Sequence, residues 1–552
     1  MTIRRITTLL HRPALAAALV GGLPSAALAC GGLFCNATQP VNQSAERILF
    51  AQEDDGKMHM HVRISYAGPP TDFAWLLPTP PDVETELSSE QLFQALDQQV
   101  APIFSIQRQL GETCLDARAA AGFEDDSGNG GGPEPPAAPS VDVLSREAVG
   151  PYDRVILRAD NVGVLRGWLD ENGFAIPEGV DATLTPYIEM GSVFVAIKLL
   201  PGADAGDVVP LHLSFTSSTA AIPLVPTRVA ADPDMGVIVH LLAGDRAIPK
   251  NYAHVQINEA AIDWLSAGSN YGDVVSAAAD EAAGGKAWAT DYAGPSDVIP
   301  PSIAPIDEAT VAQIKQARTL GDLLSIYNFQ DADLLRLAGG FIEPPDGVPA
   351  AQFLACPFCY DVDPSKPVDG EALAAQIEAE VNPPRVELAA LFAQHDYLTR
   401  LYTTMSPEEM DQDPIFATNP DLGPVDRLRT AVWHVVCDEQ GNELSSLSFV
   451  DTPSGLRFQF DENGQVPDAI QRQAGATVRG ADAPAARIIE RMFEQGQPEV
   501  ISDNTKALRA RYSAQGGDGG CGCDVDQGGS PATAGLLFLG LLGLGSVARR
   551  RR

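Results

Sequence analysis

Basic side chains are scarce in this chain. Its 552 residues include 73 Asp and Glu but only 37 Lys and Arg, which gives a formal net charge of −36 at pH 7. Such a surface repels nucleic-acid phosphates and anionic lipid headgroups, so binding to either by electrostatic attraction is excluded. The excess of acidic residues is instead typical of a well-solvated secreted protein that meets divalent cations.

Familiar catalytic motifs are also absent. The sequence contains no G-x-S-x-G, no H-E-x-x-H and no glycine-rich phosphate loop. No catalytic residue and no cofactor are therefore predicted, and a binding or envelope-structural protein is favoured over an enzyme. The alternative is an exported hydrolase or thiol-redox enzyme with a site assembled from distant residues, which a pocket holding a carboxylate or histidine of shifted pKa would favour.

Apolar residues make up 45% of the chain, enough for a globular core. The patterning predicts an α+β protein with a β-rich N-terminal domain, a mixed α/β C-terminal region and a C-terminal membrane or sorting helix. The predicted divisions are a signal peptide (1–29), an α+β domain (30–295) with a disordered insertion (122–140), a second mixed region (306–512), a Gly-rich spacer with Cys-Gly-Cys (513–531) and a transmembrane sorting tail (532–552).

The first 29 residues have the three parts of a secretory signal. Arg4 and Arg5 precede an apolar stretch rich in Ala and Leu, and Ala27-Leu28-Ala29 forms an A-x-A cleavage site. Cleavage there would leave Cys30 at the mature N-terminus. Lipoprotein processing at Cys30 is the alternative, although Ala27 stands where a lipobox usually has leucine.

The last stretch of the chain predicts a membrane anchor. The uncharged segment Ala532–Ala548 would form a helix of roughly 25 Å, close to the minimum that spans a bilayer. Four arginines, Arg549 to Arg552, follow it and should stay on the cytoplasmic side, which places the preceding chain outside.

Cys521-Gly522-Cys523, a small-residue spacer, the apolar span and the arginines together resemble the MYXO-CTERM sorting signal of myxobacteria and their relatives. The resemblance implies cleavage by a sorting protease and transfer to the cell surface. On that interpretation Cys521 or Cys523 is a processing or lipid-attachment site, and the expected partners are components of the cell envelope.

A second resemblance covers roughly residues 30–295. The chain is similar to the bacterial family of domain of unknown function 2330 in the segments Cys30–Cys35, Pro40–Ile48, Tyr66–Pro69, Phe73–Pro78, Val149–Asp153, Trp168–Leu169, Asn172–Phe174 and Phe194–Lys198. This resemblance implies no catalytic residues, because it supplies none to carry over.

The six cysteines outside the tail are an even number, which favours disulfides in an exported protein. The disulfide candidates are Cys30, Cys35, Cys114, Cys356, Cys359 and Cys437. Cys356-Pro357-Phe358-Cys359 resembles the Cys-Pro-aromatic-Cys of glutaredoxins, but the following Asp361 and Asp363 disfavour a thiolate, so a structural bridge is the preferred interpretation.

Two sets of side chains could bind a metal ion, but neither set is predicted to form a site. Cys356, Cys359, His434 and Cys437 could together supply four zinc ligands, but exported cysteines usually oxidise first. His59 and His61 share one face of a strand predicted from Met58 to Tyr66. No third ligand can be placed beside them, so this face is predicted to be solvated.

Overall fold

A computed structural model of the chain describes residues 42–67, 73–111, 143–174, 179–200, 208–229, 231–438, 442–461, 464–470 and 483–514. The predicted signal peptide, the insertion 122–140 and the sorting tail 532–552 lie outside these residues. So do Cys30, Cys35, Cys114, Cys521 and Cys523. No helix within the described ranges is both long and apolar enough to cross a membrane.

Strands are distributed along almost the whole described chain. They are β1 (Asn42–Gln52), β2 (Lys57–Ala67), β3 (Ala74–Thr79), β4 (Glu84–Leu87), β5 (Ile103–Leu110), β6 (Val143–Val149), β7 (Tyr152–Leu157), β8 (Val193–Leu199), β9 (Leu211–Thr216), β10 (Ala220–Ala221), β11 (Ala231–Ala243), β12 (Arg246–Pro249), β13 (Ala253–Ile257), β14 (Ala287–Pro295), β15 (Tyr397–Met405), β16 (Ile415–Asn419), β17 (Leu428–Val435), β18 (Phe449–Asp451), β19 (Arg457–Phe458), β20 (Ala486–Arg491) and β21 (Glu499–Asp503).

Helices are concentrated between residues 308 and 394. They are α1 (Glu90–Val100), α2 (Val162–Glu171), α3 (Val180–Glu189), α4 (Tyr271–Asp280), α5 (Glu308–Gln316), α6 (Leu320–Leu324), α7 (Ala332–Ala338), α8 (Ala350–Ala355), α9 (Gly370–Gln376), α10 (Asn382–Gln394) and α11 (Thr505–Ala514). A π-helical segment, Ile377–Val381, joins α9 to α10. The mixture confirms the predicted α+β class.

A ten-stranded sheet organises the described chain, with strand order β21-β20-β13-β14-β15-β11-β1-β2-β9-β4. Its β1–β2 hairpin follows from the sequence, because Asp54-Asp55-Gly56 forms the turn and Gly56 adopts the positive φ of 92° that glycine tolerates. The other sheets are β3-β8-β7-β6, β19-β18-β17-β5 and β10-β16-β12.

The ten-stranded sheet is buried on both faces around β1 and β2. Ile48 and Phe50 belong to a core shared with β3 and β8. Leu49 and Ala51, which point the opposite way, pack with apolar residues of α1 and α10. A strand covered on both sides can carry polar residues only where they find partners within the protein.

Strand β15 lies beyond the predicted boundary at residues 295–306, yet it pairs with both β11 and β14. The ten-stranded sheet therefore contains strands from both predicted regions. Two residues of the proline-rich stretch between them, Ile299 and Ile303, are fully buried against the cluster that contains α1 and α10.

Candidate metal centre

The two histidines of β2 are buried. His59 is 3% exposed and His61 is 0% exposed, so the prediction of a solvated strand face is wrong. Their register partners on β1 are Ala51 and Leu49, which pack against Leu388 of α10. Helix α10, which comes much later in the chain, thus covers the face of β2 that carries its alternating polar residues.

Strand β9 adds a third buried histidine. It pairs antiparallel with β2 and sets His212 directly opposite His61. The His61 and His212 rings stack with centroids 4.4 Å apart, and His59 Nδ1 lies 3.0 Å from His212 Nε2. Three imidazoles from two strands therefore meet in one buried row.

Helix α10 adds a carboxylate. One oxygen of Glu387 lies 3.1 Å from His212 Nδ1, and the other lies 3.5 Å from His59 Nδ1. One ligand atom each from His59, His212 and Glu387 fall within 4.8 Å of one another. Because the Glu387 side chain is 29% exposed, the group is reached from solvent on this side.

A buried ion-pair network fixes the position of α10. Arg385 Nη2 donates to Asp331 Oδ1 at 2.6 Å and to Asp333 Oδ2 at 2.7 Å. Asp333 also accepts from Ser89 Oγ at 2.6 Å and from the Glu90 backbone N–H at 2.7 Å, at the start of α1. The helix that carries Glu387 is therefore tied to α1 and α7 two residues before the site.

The charges of the group complement one another. Burial alone would raise the pKa of Glu387, but the imidazoles of His212 and His59 hold it well below its usual range. Burial lowers the pKa of His212, but the nearby Glu387 and Glu86 carboxylates outweigh this effect and leave it raised. Glu387 is thus an anion at neutral pH, and positive charge beside it is favoured.

His61 is held as a neutral imidazole. Burial, followed by the charge of His212, lowers its pKa well below the ordinary value. Its Nδ1 lies 2.8 Å from Ser88 Oγ. His61 therefore supports the ring of His212 and stands behind the group that faces Glu387.

Two histidines and one carboxylate are a recurrent ligand set for Zn²⁺ and Fe²⁺. Ligand atoms bound tetrahedrally to zinc at about 2.05 Å lie about 3.3 Å from each other, close to the two distances from Glu387 to the imidazoles. His212 Nδ1 is near the carboxylate but is not aligned with it for hydrogen bonding, and among the described residues it has no hydrogen-bond partner of good geometry. The residues present fit a divalent transition-metal ion.

The zinc set considered from the sequence does not form. Cys356 is disulfide-bonded to Cys359, and Cys437 is also in a disulfide. His434 instead lies 3.2 Å from the Asp451 carboxylate. Without thiolates, these four residues offer no zinc site.

The Cys356–Cys359 bridge lies at the wrong end of a helix for thiol-redox chemistry. Cys356 caps the C-terminus of α8, and only a short 3₁₀ turn, Pro357–Cys359, follows. The negative end of the helix dipole disfavours a thiolate, whereas reactive cysteines sit at helix N-termini. The disulfide at this end of the helix supports the predicted structural bridge.

Residues 24–417 match the family model described as an uncharacterised protein conserved in bacteria, DUF2330. The chain belongs to this family. The DUF2330 match extends past the predicted limit at residue 295 and includes His59, His212 and Glu387. No curated protein and no solved structure matches.

Of this candidate site, the sequence pattern indicated His59, while His212 and Glu387 were missed. His212 was available as the polar member of the alternating strand Leu211–Phe215, on the same kind of face as His59. Helix α10 was signalled by Leu388, Leu391 and Phe392 at helical spacing, beside Glu387. No sequence pattern, however, indicates that β2, β9 and α10 meet.

Proposed function

We propose that this protein is exported, is held at the cell surface by its C-terminal segment, and binds a divalent transition-metal ion through His59, His212 and Glu387. Components of the cell envelope are its expected partners. The proposal of export rests on the signal-like N-terminus and the sorting-signal-like tail. The proposal of metal binding rests on the buried pair of imidazoles that faces one ionised carboxylate.

The metal proposal is tested by removing one ligand at a time. Purified protein stripped with a chelator should bind Zn²⁺ in calorimetric titration with a stoichiometry of one ion per chain. His212→Ala and Glu387→Gln should each weaken binding by more than the roughly 10–100-fold that loss of an outer-shell partner costs, because each removes a direct ligand. Affinity should rise with pH, since the proton favoured on His212 competes with the ion.

His434→Gln is the matched control. It removes a histidine that also lies 3.2 Å from a carboxylate, but on β17 and outside the site. Zinc affinity should stay unchanged in this variant. An equal loss of zinc affinity in His434→Gln and His212→Ala would contradict the proposal, as would a failure of the unsubstituted protein to bind zinc stoichiometrically.

Metal-assisted hydrolysis is a second candidate function. Catalytic zinc sites use three protein ligands and keep one position for water, whereas structural sites use four. The present group offers three candidate ligands, and the Glu86 carboxylate, 70% exposed, lies 3.6 Å from His212 Nδ1 beside them. Turnover of an activated ester or phosphate ester by the zinc-loaded protein, lost in Glu387→Gln, would favour this function over binding alone.

The proposal of surface anchoring predicts two processed ends. Protein extracted from the cell surface should start at Cys30 and lack the residues beyond Cys521–Cys523, as measured by intact mass. Replacing both tail cysteines with alanine should keep the protein in an inner compartment, because the sorting step needs them. Full-length protein ending at Arg552 and found in the cytoplasm would contradict both signals.

A further inference from the structure

A cavity of about 420 Å³ lies toward the other end of the ten-stranded sheet. Its walls come from β12, β13, β14, β17 and β20, together with the chain between β16 and β17. The volume is within the range of small-molecule binding pockets. Part of the wall lies inside the DUF2330 match and part, including all of β20, lies beyond residue 417.

Three arginines line this cavity: Arg246, Arg429 and Arg487. Three guanidinium groups around one small cavity are notable in a chain with twice as many acidic as basic side chains. Guanidinium groups bind carboxylates and phosphates through paired N–H donors. Whether they are available to a ligand depends on the partners that they already have.

Most of the hydrogen bonds of these arginines go to neutral oxygens. Arg246 donates to Gly423 O and to Thr290 Oγ1, each at 3.2 Å. Arg487 donates to the side-chain oxygen of Gln256. Within the part of the chain that the structure describes, neither of these two guanidiniums has a carboxylate partner.

Arg429 has one distant carboxylate. It donates to Thr290 O at 3.2 Å, and Glu259 lies 3.7 Å from its Nη1. Glu259 is already engaged, because its other oxygen accepts from the Ser454 backbone N–H at 2.7 Å. In all three arginines the Nε atom is buried and has no hydrogen-bond partner among the described residues.

Glu490, the second acidic residue in the cavity wall, also has hydrogen-bond partners already. Glu490 accepts from His254 Nδ1 at 2.9 Å and from Gln256 at 3.2 Å. Burial lowers the pKa of His254, and the charge of Arg246 lowers it further, although Glu490 opposes this. With His254 neutral, its Nδ1–H points to Glu490 and its Nε2 accepts from Thr290 Oγ, 2.9 Å away.

We propose that this cavity binds a small anionic ligand, a carboxylate or a phosphate ester, through the guanidinium groups of Arg246, Arg429 and Arg487. An anion there would accept hydrogen bonds from the guanidinium groups that line the cavity, and it would balance the positive charge that Glu259 and Glu490 do not neutralise. Burial disfavours the charged form of Arg246 and lowers its pKa, and a bound anion would offset that cost. The site is separate from the metal centre, because their strands occupy opposite parts of the sheet.

The test uses inorganic phosphate and succinate as separate probes, with chloride at matched ionic strength as the reference. Binding to the folded state should raise the thermal midpoint with increasing probe concentration. The Arg429→Gln and Arg487→Gln variants should each weaken binding roughly tenfold or more, because each loses a charge-assisted contact. A response to phosphate alone indicates a phosphate ester as the ligand, and a response to succinate alone indicates a carboxylate.

Arg491→Gln is the matched control, since Arg491 lies on the same strand, β20, but is 61% exposed and pairs with Glu499. This variant should bind the probes normally. If Arg487→Gln fails to fold, Arg487→Lys keeps the charge, loses the paired donors and should still bind less tightly. No midpoint shift with either probe, or equal shifts in all variants, would overturn the proposal, while zinc titration of the same samples reports on the metal centre independently.

Discussion

Substituting Arg385 by methionine should lower the free energy of unfolding by about 3–5 kcal/mol, the usual cost of removing one partner from a buried ion-pair network. Arg385 is 1% exposed and is the cation that faces Asp331 and Asp333, which are 6% and 4% exposed. Without it, both carboxylates would stay buried beside each other. Denaturant unfolding monitored by circular dichroism measures the change.

Arg457→Met is the comparison for this variant. Arg457 makes a two-pronged pair with Asp451, at 2.7 and 2.8 Å, but its side chain is 59% exposed. Solvent screening limits such a pair to less than about 1 kcal/mol. Similar losses of unfolding free energy in both variants would show that the buried Arg385 network stabilises the protein no more than an exposed ion pair does.

Arg385→Met also tests how Glu387 is held in the proposed metal centre. Arg385 precedes Glu387 by two residues and ties α10 to α1 and α7. Where Arg385→Met remains folded, its zinc affinity should fall below that of Arg457→Met, because the carboxylate is no longer fixed opposite His59 and His212. Unchanged zinc affinity would mean that α10 is positioned by its apolar contacts alone.

Mild acid should destabilise the metal-free protein strongly. His61 and His240 are both 0% exposed, and burial is the largest cause that lowers the pKa of each well below 6.5. In the unfolded chain both take up a proton near pH 6.5, whereas in the folded protein they stay neutral. As pH falls below 6.5, stability should therefore drop by roughly 1.4 kcal/mol per pH unit for each of the two.

The groups around these histidines do not reverse the direction of the two pKa shifts, which burial sets. The charge of His212 lowers the pKa of His61 and Glu387 raises it, while Arg400 and Arg47 both lower the pKa of His240. The raised pKa of His212 itself acts in the opposite direction. Its contribution is complete below pH 6.5 and is lost as pH rises through the folded pKa, so it does not offset the acid loss.

Urea unfolding at a series of pH values between 7.5 and 5 checks this prediction. His240→Asn should remove about half of the slope that the two histidines contribute, whereas the control His434→Gln, at a partly exposed position on β17, should leave that contribution in place. Carboxylates of low pKa such as Glu387 titrate below this window and do not contribute. Burial raises the pKa of Glu409 to about 7, so the folded protein takes up a proton there within this window and partly opposes the loss. The same slope in His240→Asn as in the unsubstituted protein would show that the buried His240 imidazole takes up a proton without unfolding.

The sequence by itself determined the local features. The α+β class, the β1–β2 hairpin with its Asp-Asp-Gly turn and the bridge between Cys356 and Cys359 all depend on residues near one another in the chain. Alternation on β2 also identified His59 and His61 as one face. Such features follow from backbone geometry and side-chain period, which act over a few residues.

Only the tertiary structure decided that this face is buried and which side chains it meets. His212 follows His59 by 153 residues, and Glu387 comes later still, yet all three meet because β9 pairs with β2 and α10 packs across them. The cavity lined by arginines is assembled in the same way from β12, β14, β17 and β20. The physical reason is that burial of the whole sheet fixes which distant strands pair. In addition, the sequence pattern of a polar strand face is the same whether its side chains bond to water or to other polar groups of the protein.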